Sequence, residues 1–167
     1  KADIFIIAVP TPFLENGSEF PEPNLSYLEN AAISISEHLE IGNTVIIEST
    51  IPVGTTKKIS ELIISKTNFS LDQINFAHCP ERVLPGKIIQ EMIYNNRIVG
   101  GLNKKSSEFV KSFYETFCKG EILISNSDTA EMVKLSENAY RDVNIAFANE
   151  LSILCEKFSI NINELIN

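Results

Sequence analysis

The 167 residues are enough for one ordinary domain, or for one domain with an appended element. With 44% hydrophobic residues and a mean hydropathy of +0.04, the composition forms a core and excludes a disordered chain, while no apolar run nears the roughly 18 residues that span a bilayer. A formal net charge of −8 disfavours bulk nucleic-acid binding, although a few local cations suffice for an anionic small molecule.

The predicted elements follow in chain order. Residues 4–9 are a short apolar run ended by Pro10-Thr11-Pro12, which predicts a strand buried on both faces, as in a parallel sheet. Residues 13–23 are loop-like, with Asn16-Gly17 as a turn signal. Asn24 predicts the cap of a helix running to about residue 39, with Leu25, Leu28, Ala32, Ile35 and Leu39 as its apolar stripe. Residues 44–47 are a second buried strand. The segment Glu48-Ser49-Thr50-Ile51-Pro52-Val53-Gly54 then leads into a helix over about residues 55–66, with Ile59, Leu62 and Ile63 inward.

Residues 75–79 read as a third strand, ended by Pro80, and residues 87–94 as a short helix. Residues 97–99 read as a fourth strand ended by Gly100-Gly101, residues 104–117 as a helix and 121–124 as a fifth strand. Five strands with crossover helices predict an α/β fold, a partial Rossmann-like parallel sheet. Ligands in such sheets sit beyond the carboxyl ends of the strands, which marks the loops at 10–13, 49–54, 79–86 and 100–103. Asp128 with Glu131 three residues on fits a capping box, and from there to about Phe158 there is neither Gly nor Pro. That predicts a long connector helix of about 30 residues after the sheet, beyond the usual crossover length, and a domain boundary between residues 125 and 126.

Four groups of residues carry candidate chemistry. Lys134, Asn138 and Arg141 are spaced by four and seven and share one face of the long helix. An amine, a carboxamide and a guanidinium there suit an oxygen-rich anionic ligand, and the amine can stabilise a developing oxyanion; a solvated helix face has the same spacing. Glu81, after the third strand, is either a general base or a helix-entry carboxylate paired with Arg82. Thr50, in the turn before the second helix, and Thr11, between two prolines, either meet a phosphate or ribose or belong to capped turns. Cys79 beside Glu81 is a nucleophile or, more simply, a packed strand-end residue. Cys118 and Cys155 read as packing, and an odd number of cysteines without metal-type spacing points to no metal, no disulfide framework and a cytoplasmic location.

Several motifs stand in one order: Ala8-Val9-Pro10-Thr11-Pro12, Glu48-Ser49-Thr50-Ile51-Pro52-Val53-Gly54-Thr55, Cys79-Pro80-Glu81-Arg82-Val83-Leu84-Pro85-Gly86, Val99-Gly100-Gly101, Thr129-Ala130-Glu131-Met132-Val133-Lys134-Leu135-Ser136-Glu137-Asn138 and Arg141-Asp142-Val143-Asn144-Ile145-Ala146-Phe147-Ala148-Asn149-Glu150. In this series the chain resembles, essentially end to end, the nucleotide-sugar 6-dehydrogenases of the UDP-glucose/GDP-mannose dehydrogenase superfamily. It is most similar to the UDP-N-acetyl-D-mannosamine dehydrogenases, with UDP-N-acetylglucosamine and UDP-glucose members as alternatives.

The resemblance implies oxidation of the sugar carbon-six alcohol to a carboxylate, with two hydride transfers to NAD. It implies that Lys134 is the acid/base lysine, that Asn138 helps it hold the carbon-six oxygen, and that Glu81 activates water when a thioester is hydrolysed. Arg82, Val83 and Arg141 match contacts to the UDP-sugar substrate, alongside Lys134 and Asn138, and Thr11 and Thr50 match NAD contacts. It further implies a glycine-rich NAD turn ahead of residue 1 and a catalytic cysteine after residue 167, so that role passes to none of Cys79, Cys118 or Cys155. On this reading residues 1–125 are the C-terminal part of an NAD-binding domain and 126–167 begin a middle domain. The chain is then a fragment, inactive alone, of a homodimeric enzyme. A β-hydroxyacid or 6-phosphogluconate-type dehydrogenase also places a lysine and an asparagine on a long helix, but the 79–86 motif argues against it. A non-catalytic nucleotide-binding or dimerisation module is the alternative of another class.

Overall fold

The five apolar runs each form a strand, and the amphipathic segments between them form helices: β1 Ile4–Ile7, α1 Ser26–Ser36, β2 Thr44–Ile47, α2 Thr55–Ser65, β3 Asn75–His78, α3 Ile88–Tyr94, β4 Arg97–Gly101, α4 Lys104–Tyr114, β5 Ile122–Asn126, α5 Ser127–Lys157 and α6 Ile162–Ile166. The computed structural model describes residues 1–15, 17, 19–83 and 86–166; Asn16 of the turn signal and Leu84-Pro85 of the 79–86 motif lie outside them. The chain divides into two compact units, Lys1–Lys134 and Leu135–Asn167.

In the first unit the strands form one sheet in the order β1-β2-β3-β4-β5. β1, β2 and β3 are parallel, and β4 is parallel to β5. β4 runs antiparallel to β3, pairing Ala77 with Gly101 and His78 with Gly100, which corrects the expectation of an all-parallel sheet. The reason lies in the connection. A parallel return needs a crossover helix that buries a face on the sheet. Among the described residues the helix between β3 and β4 is the seven-residue α3, which has no buried residue. The chain therefore turns back at the same end of the sheet, and β4 runs away from that end: Gly100 and Gly101 lie beside His78 and Ala77, and the Leu102 N–H reaches the Phe76 carbonyl at 3.0 Å.

Side-chain alternation divides the core into two layers. Val45, Ile47 and Phe76 pack with Leu28 and Ala32 of α1 and with Ile59 and Ile63 of α2. On the other face Ile46, Ala77, Cys79 and Val99 pack with Val110 and Tyr114 of α4. β2, β3 and β4 are buried along their whole length, as continuous apolar runs suggest. β1 departs from that expectation: it is an edge strand, and Ile6 is 44% exposed.

The pair Gly100-Gly101 has a steric reason within β4. A Cβ on Gly100 would lie 2.3 Å from the Asn126 carbonyl oxygen, and one on Gly101 would lie 2.6 Å from the Ser107 backbone nitrogen. Two bare backbones let α4 and the start of α5 close onto the strand.

α5 is 31 residues long, close to the expected length. Its start differs from the capping box expected for Asp128 and Glu131. The Asn126 side chain accepts the Thr129 N–H at 2.8 Å, and Glu131 turns away to another helix. The second unit holds the rest of α5 and α6. α5 ends where Ser159 takes φ 52° and the Ile160 N–H reaches the Cys155 carbonyl at 2.9 Å, a left-handed C-cap.

Candidate active site

Three side-chain clusters gather where β1, β2 and β3 end. The first ties β1 to β2. Ser49 Oγ accepts the Val9 N–H at 2.8 Å and lies 2.7 Å from the Val9 carbonyl, to which it donates. Thr11 Oγ1 donates to the Thr50 carbonyl at 2.7 Å. The two candidate NAD residues, Thr11 and Thr50, are thus joined across 39 positions of sequence, and both are half-buried.

The second cluster is the N-terminus of α2. Gly54 adopts φ 85°, a conformation that glycine reaches without strain, and α2 begins at Thr55. Glu131, fully buried, accepts the Gly54 N–H at 2.6 Å and, through its other oxygen, the Thr56 N–H at 2.7 Å and hydroxyl at 2.6 Å. A carboxylate on this helix end is favoured by the macrodipole and by the otherwise unpaired N–H groups. The turn is capped from within the chain at the Gly54 and Thr56 N–H groups.

The third cluster lies between β3 and β4. Glu81 Oε1 accepts its neighbour's Arg82 N–H at 2.8 Å, and Glu81 Oε2 meets Arg97 Nη2 at 3.3 Å. The cation facing Glu81 is therefore Arg97, not the Arg82 side chain, whose Nη1 donates to the Asn96 carbonyl at 3.2 Å. Arg97 is only 4% exposed. Its guanidinium lies 4.7 Å over the Tyr114 ring, with Nη1 3.9 Å from Cys79 Sγ. The Tyr114 hydroxyl in turn hydrogen-bonds Glu48.

Burial raises the Glu48 carboxyl above the usual range, against the Tyr114 hydrogen bond, and Glu81 nearby adds to the rise. Burial likewise raises the Tyr114 phenol. For Arg97 burial opposes the charge, but Cys79 and Glu81 outweigh it and the guanidinium stays protonated. Burial pushes the Cys79 thiol up to about 11, with Arg97 opposing. A buried thiol held neutral is a poor nucleophile, so Cys79 packs, as do the buried, free Cys118 and Cys155. His78, fully buried in β3, is pushed down to about 4 by burial, offset in part by the Ile47 carbonyl; neither ring nitrogen has a well-aligned hydrogen-bond partner.

The remaining candidates sit on or near these elements. Val83 is half-buried beyond Glu81. Lys134 is half-buried and ends the first unit, one turn after Glu131. In the second unit Arg141 Nη2 donates to Asn138 Oδ1 at 3.0 Å. Sequence reasoning missed Arg97, Tyr114, Glu48 and the role of Glu131. The one available signal was an arginine opening an otherwise apolar strand, a position it rarely holds without a partner. Among the described residues no His, Cys, Asp and Glu group is disposed to hold a metal ion, and no helix is long and apolar enough to cross a membrane.

Comparison with known proteins places this geometry in a family. Residues 1–118 match the NAD binding domain of the UDP-glucose/GDP-mannose dehydrogenase family, and residues 128–167 match its central domain. The UDP-N-acetyl-D-mannosamine dehydrogenase of Campylobacter jejuni is 50% identical over 99% of this chain and 42% of its own length. An NDP-N-acetyl-D-galactosaminuronic acid dehydrogenase of Ralstonia nicotianae is 48% identical over 99% of this chain and 40% of its own. The solved structure of a Pyrococcus horikoshii UDP-D-ManNAc dehydrogenase superposes with a TM-score of 0.92 at 44% identity, over 99% of this chain and 38% of that one. The chain thus spans less than half the length of these relatives. Since a family model covers residues 1–118 of the 167, the chain belongs to the UDP-glucose/GDP-mannose dehydrogenase family.

Proposed function

We propose that this chain is part of an NAD-dependent nucleotide-sugar 6-dehydrogenase that oxidises UDP-N-acetyl-D-mannosamine to UDP-N-acetyl-D-mannosaminuronate for surface polysaccharide synthesis. The observation that carries this reading is 50% identity to such a dehydrogenase across nearly the whole chain. The Ralstonia relative, at 48%, supports an N-acetylhexosamine substrate more strongly than any one epimer.

The residues present fit part of a dinucleotide site. Thr11 and Thr50 place hydroxyls where β1 and β2 end, whereas Glu131 caps the α2 N-terminus. NAD, when bound, supplies the hydride acceptor. In the proposed chemistry Lys134 and Asn138 hold the carbon-six oxygen as charge develops on it, and Arg141, Arg82 and Val83 contact the sugar nucleotide. Glu81 takes a proton from the water that attacks the acyl carbon. A boundary near residue 125 is supported by the gap between the matched segments 1–118 and 128–167. We place the full-length protein in the cytoplasm as a homodimer; a monomer by light scattering overturns the second statement.

The test is NADH production by the full-length protein with NAD and each of UDP-N-acetylmannosamine, UDP-N-acetylgalactosamine, UDP-N-acetylglucosamine and UDP-glucose. Two NADH per UDP-N-acetylmannosamine consumed, with the other sugars much slower, is expected. Preference for another sugar overturns the substrate. Binding without turnover favours the non-catalytic module.

A further inference from the structure

We propose that Arg97 is a positioning residue that fixes the Glu81 carboxylate for water activation, an inference that rests on the reading of Glu81 given above. Its basis is the strand reversal. The antiparallel pairing of His78 with Gly100, continued past Pro80, brings Arg97 directly across from Glu81. A parallel β4 would have started Arg97 at the other end of β3. The reversal thus delivers a cation to the loop at the carboxyl end of β3.

The geometry then constrains both oxygens of the carboxylate. Oε1 is held by the Arg82 N–H at 2.8 Å and Oε2 by Arg97 at 3.3 Å, while the Glu81 side chain remains 29% exposed. The carboxylate keeps an open edge, yet its plane is set. Arg97 itself is immobilised by burial in β4, by the Tyr114 ring under its guanidinium, and by Cys79 beside Nη1. The other acidic group of the cluster, Glu48, is engaged by the Tyr114 hydroxyl. Among the described residues Glu81 is the one carboxylate in ion-pair contact with Arg97. A cation buried so deeply costs several kcal/mol to desolvate, and packing alone would be served by an apolar residue. A planar, permanently charged fork is the side chain that both orients a carboxylate and keeps its charge.

The step at issue is hydrolysis of the acyl–enzyme thioester. A water oxygen bonds to the acyl carbon, its proton passes to Glu81, the carbon–sulfur bond breaks, and the thiolate leaves with the bonding pair. A tilted carboxylate still binds substrate but aims poorly at that water.

The experiment uses the full-length protein with UDP-N-acetylmannosamine and NAD, comparing Arg97→Met, Arg97→Lys, Glu81→Gln and the Arg97→Met/Glu81→Gln double variant. Rapid mixing reads the NADH burst, steady state reads kcat and KM, and intact-protein mass spectrometry reads the covalent adduct. For Arg97→Met the burst should survive, kcat and KM should fall together by about 10- to 100-fold with adduct accumulating, and kcat/KM should change less than about 3-fold. Arg97→Lys should recover part of the loss, and the double variant should be no slower than Glu81→Gln alone. Turnover within about 2-fold of wild type for Arg97→Met, equal loss of burst and steady state, or additive effects in the double variant overturns the proposal. Should Arg97→Met fail to fold by thermal melting, Arg97→Lys carries the same comparison at smaller amplitude. Normal adduct hydrolysis by Glu81→Gln overturns the reading of Glu81 itself, which separates the two failures.

Discussion

Glu131 and Lys134 are three residues apart on α5 and do opposite kinds of work in this reading. Glu131 is consumed by structure, its two oxygens filled by the Gly54 and Thr56 N–H groups and the Thr56 hydroxyl. Replacing it by alanine strands buried donors, and the full-length protein should lose on the order of 3 kcal/mol, read as a lower urea midpoint. Glu131→Gln should recover only part of this, because its amide nitrogen must face an N–H. Lys134 is assigned to the reacting oxygen. Lys134→Ala should lower kcat about 100- to 10,000-fold with modest change in KM, as for a group that acts mainly in the transition state. Steady-state kinetics on the full-length protein checks this, and near-normal turnover removes Lys134 from the mechanism.

Among the elements, β4 decides most. Its direction places Arg97 against Glu81, and its two glycines let α4, the end of β5 and the start of α5 approach. A methyl on Gly100 meets backbone atoms of Asn126, which cannot step aside. Gly42, at φ 92°, meets nothing within 4 Å and carries only the cost of its left-handed conformation. Gly100→Ala should therefore cost about 2–3 kcal/mol and Gly42→Ala about 1 kcal/mol. Equilibrium unfolding of the two variants gives the order directly, and a milder effect at Gly100 contradicts the packing described here.

For the molecule as a whole, the buried groups set how stability depends on pH. His78 has a folded value of about 4, below its ordinary 6.5, so the folded chain binds fewer protons than the unfolded one between them. Its effect is absent above about pH 6.5. As pH falls toward about 4, it removes stability, by ~3 kcal/mol in all. Glu48 acts in the other direction. Its raised value contributes stability that is present below the ordinary carboxylate range and is lost as pH rises through the folded value. Urea midpoints of the full-length protein measured from about pH 7 to about pH 4.5 should fall for wild type, and fall less for His78→Gln. An equal fall in both assigns the acid sensitivity elsewhere.

Apolar runs and their punctuation determined, from sequence alone, that five strands and the long α5 exist, because each needs only local periodicity and a Gly or Pro to end it. The motif series, read as one ordered set, was likewise enough to indicate the family. What only the tertiary structure decided was where polar groups meet across distance. Glu131 looked like a local capping residue, yet it caps a helix 75 positions earlier. For Glu81 the sequence offered its neighbour Arg82 as one candidate partner, yet its cation comes from a reversed strand. Local pattern records burial and helix or strand period, but not strand direction, and a partner chosen by strand direction leaves no periodic trace in the chain.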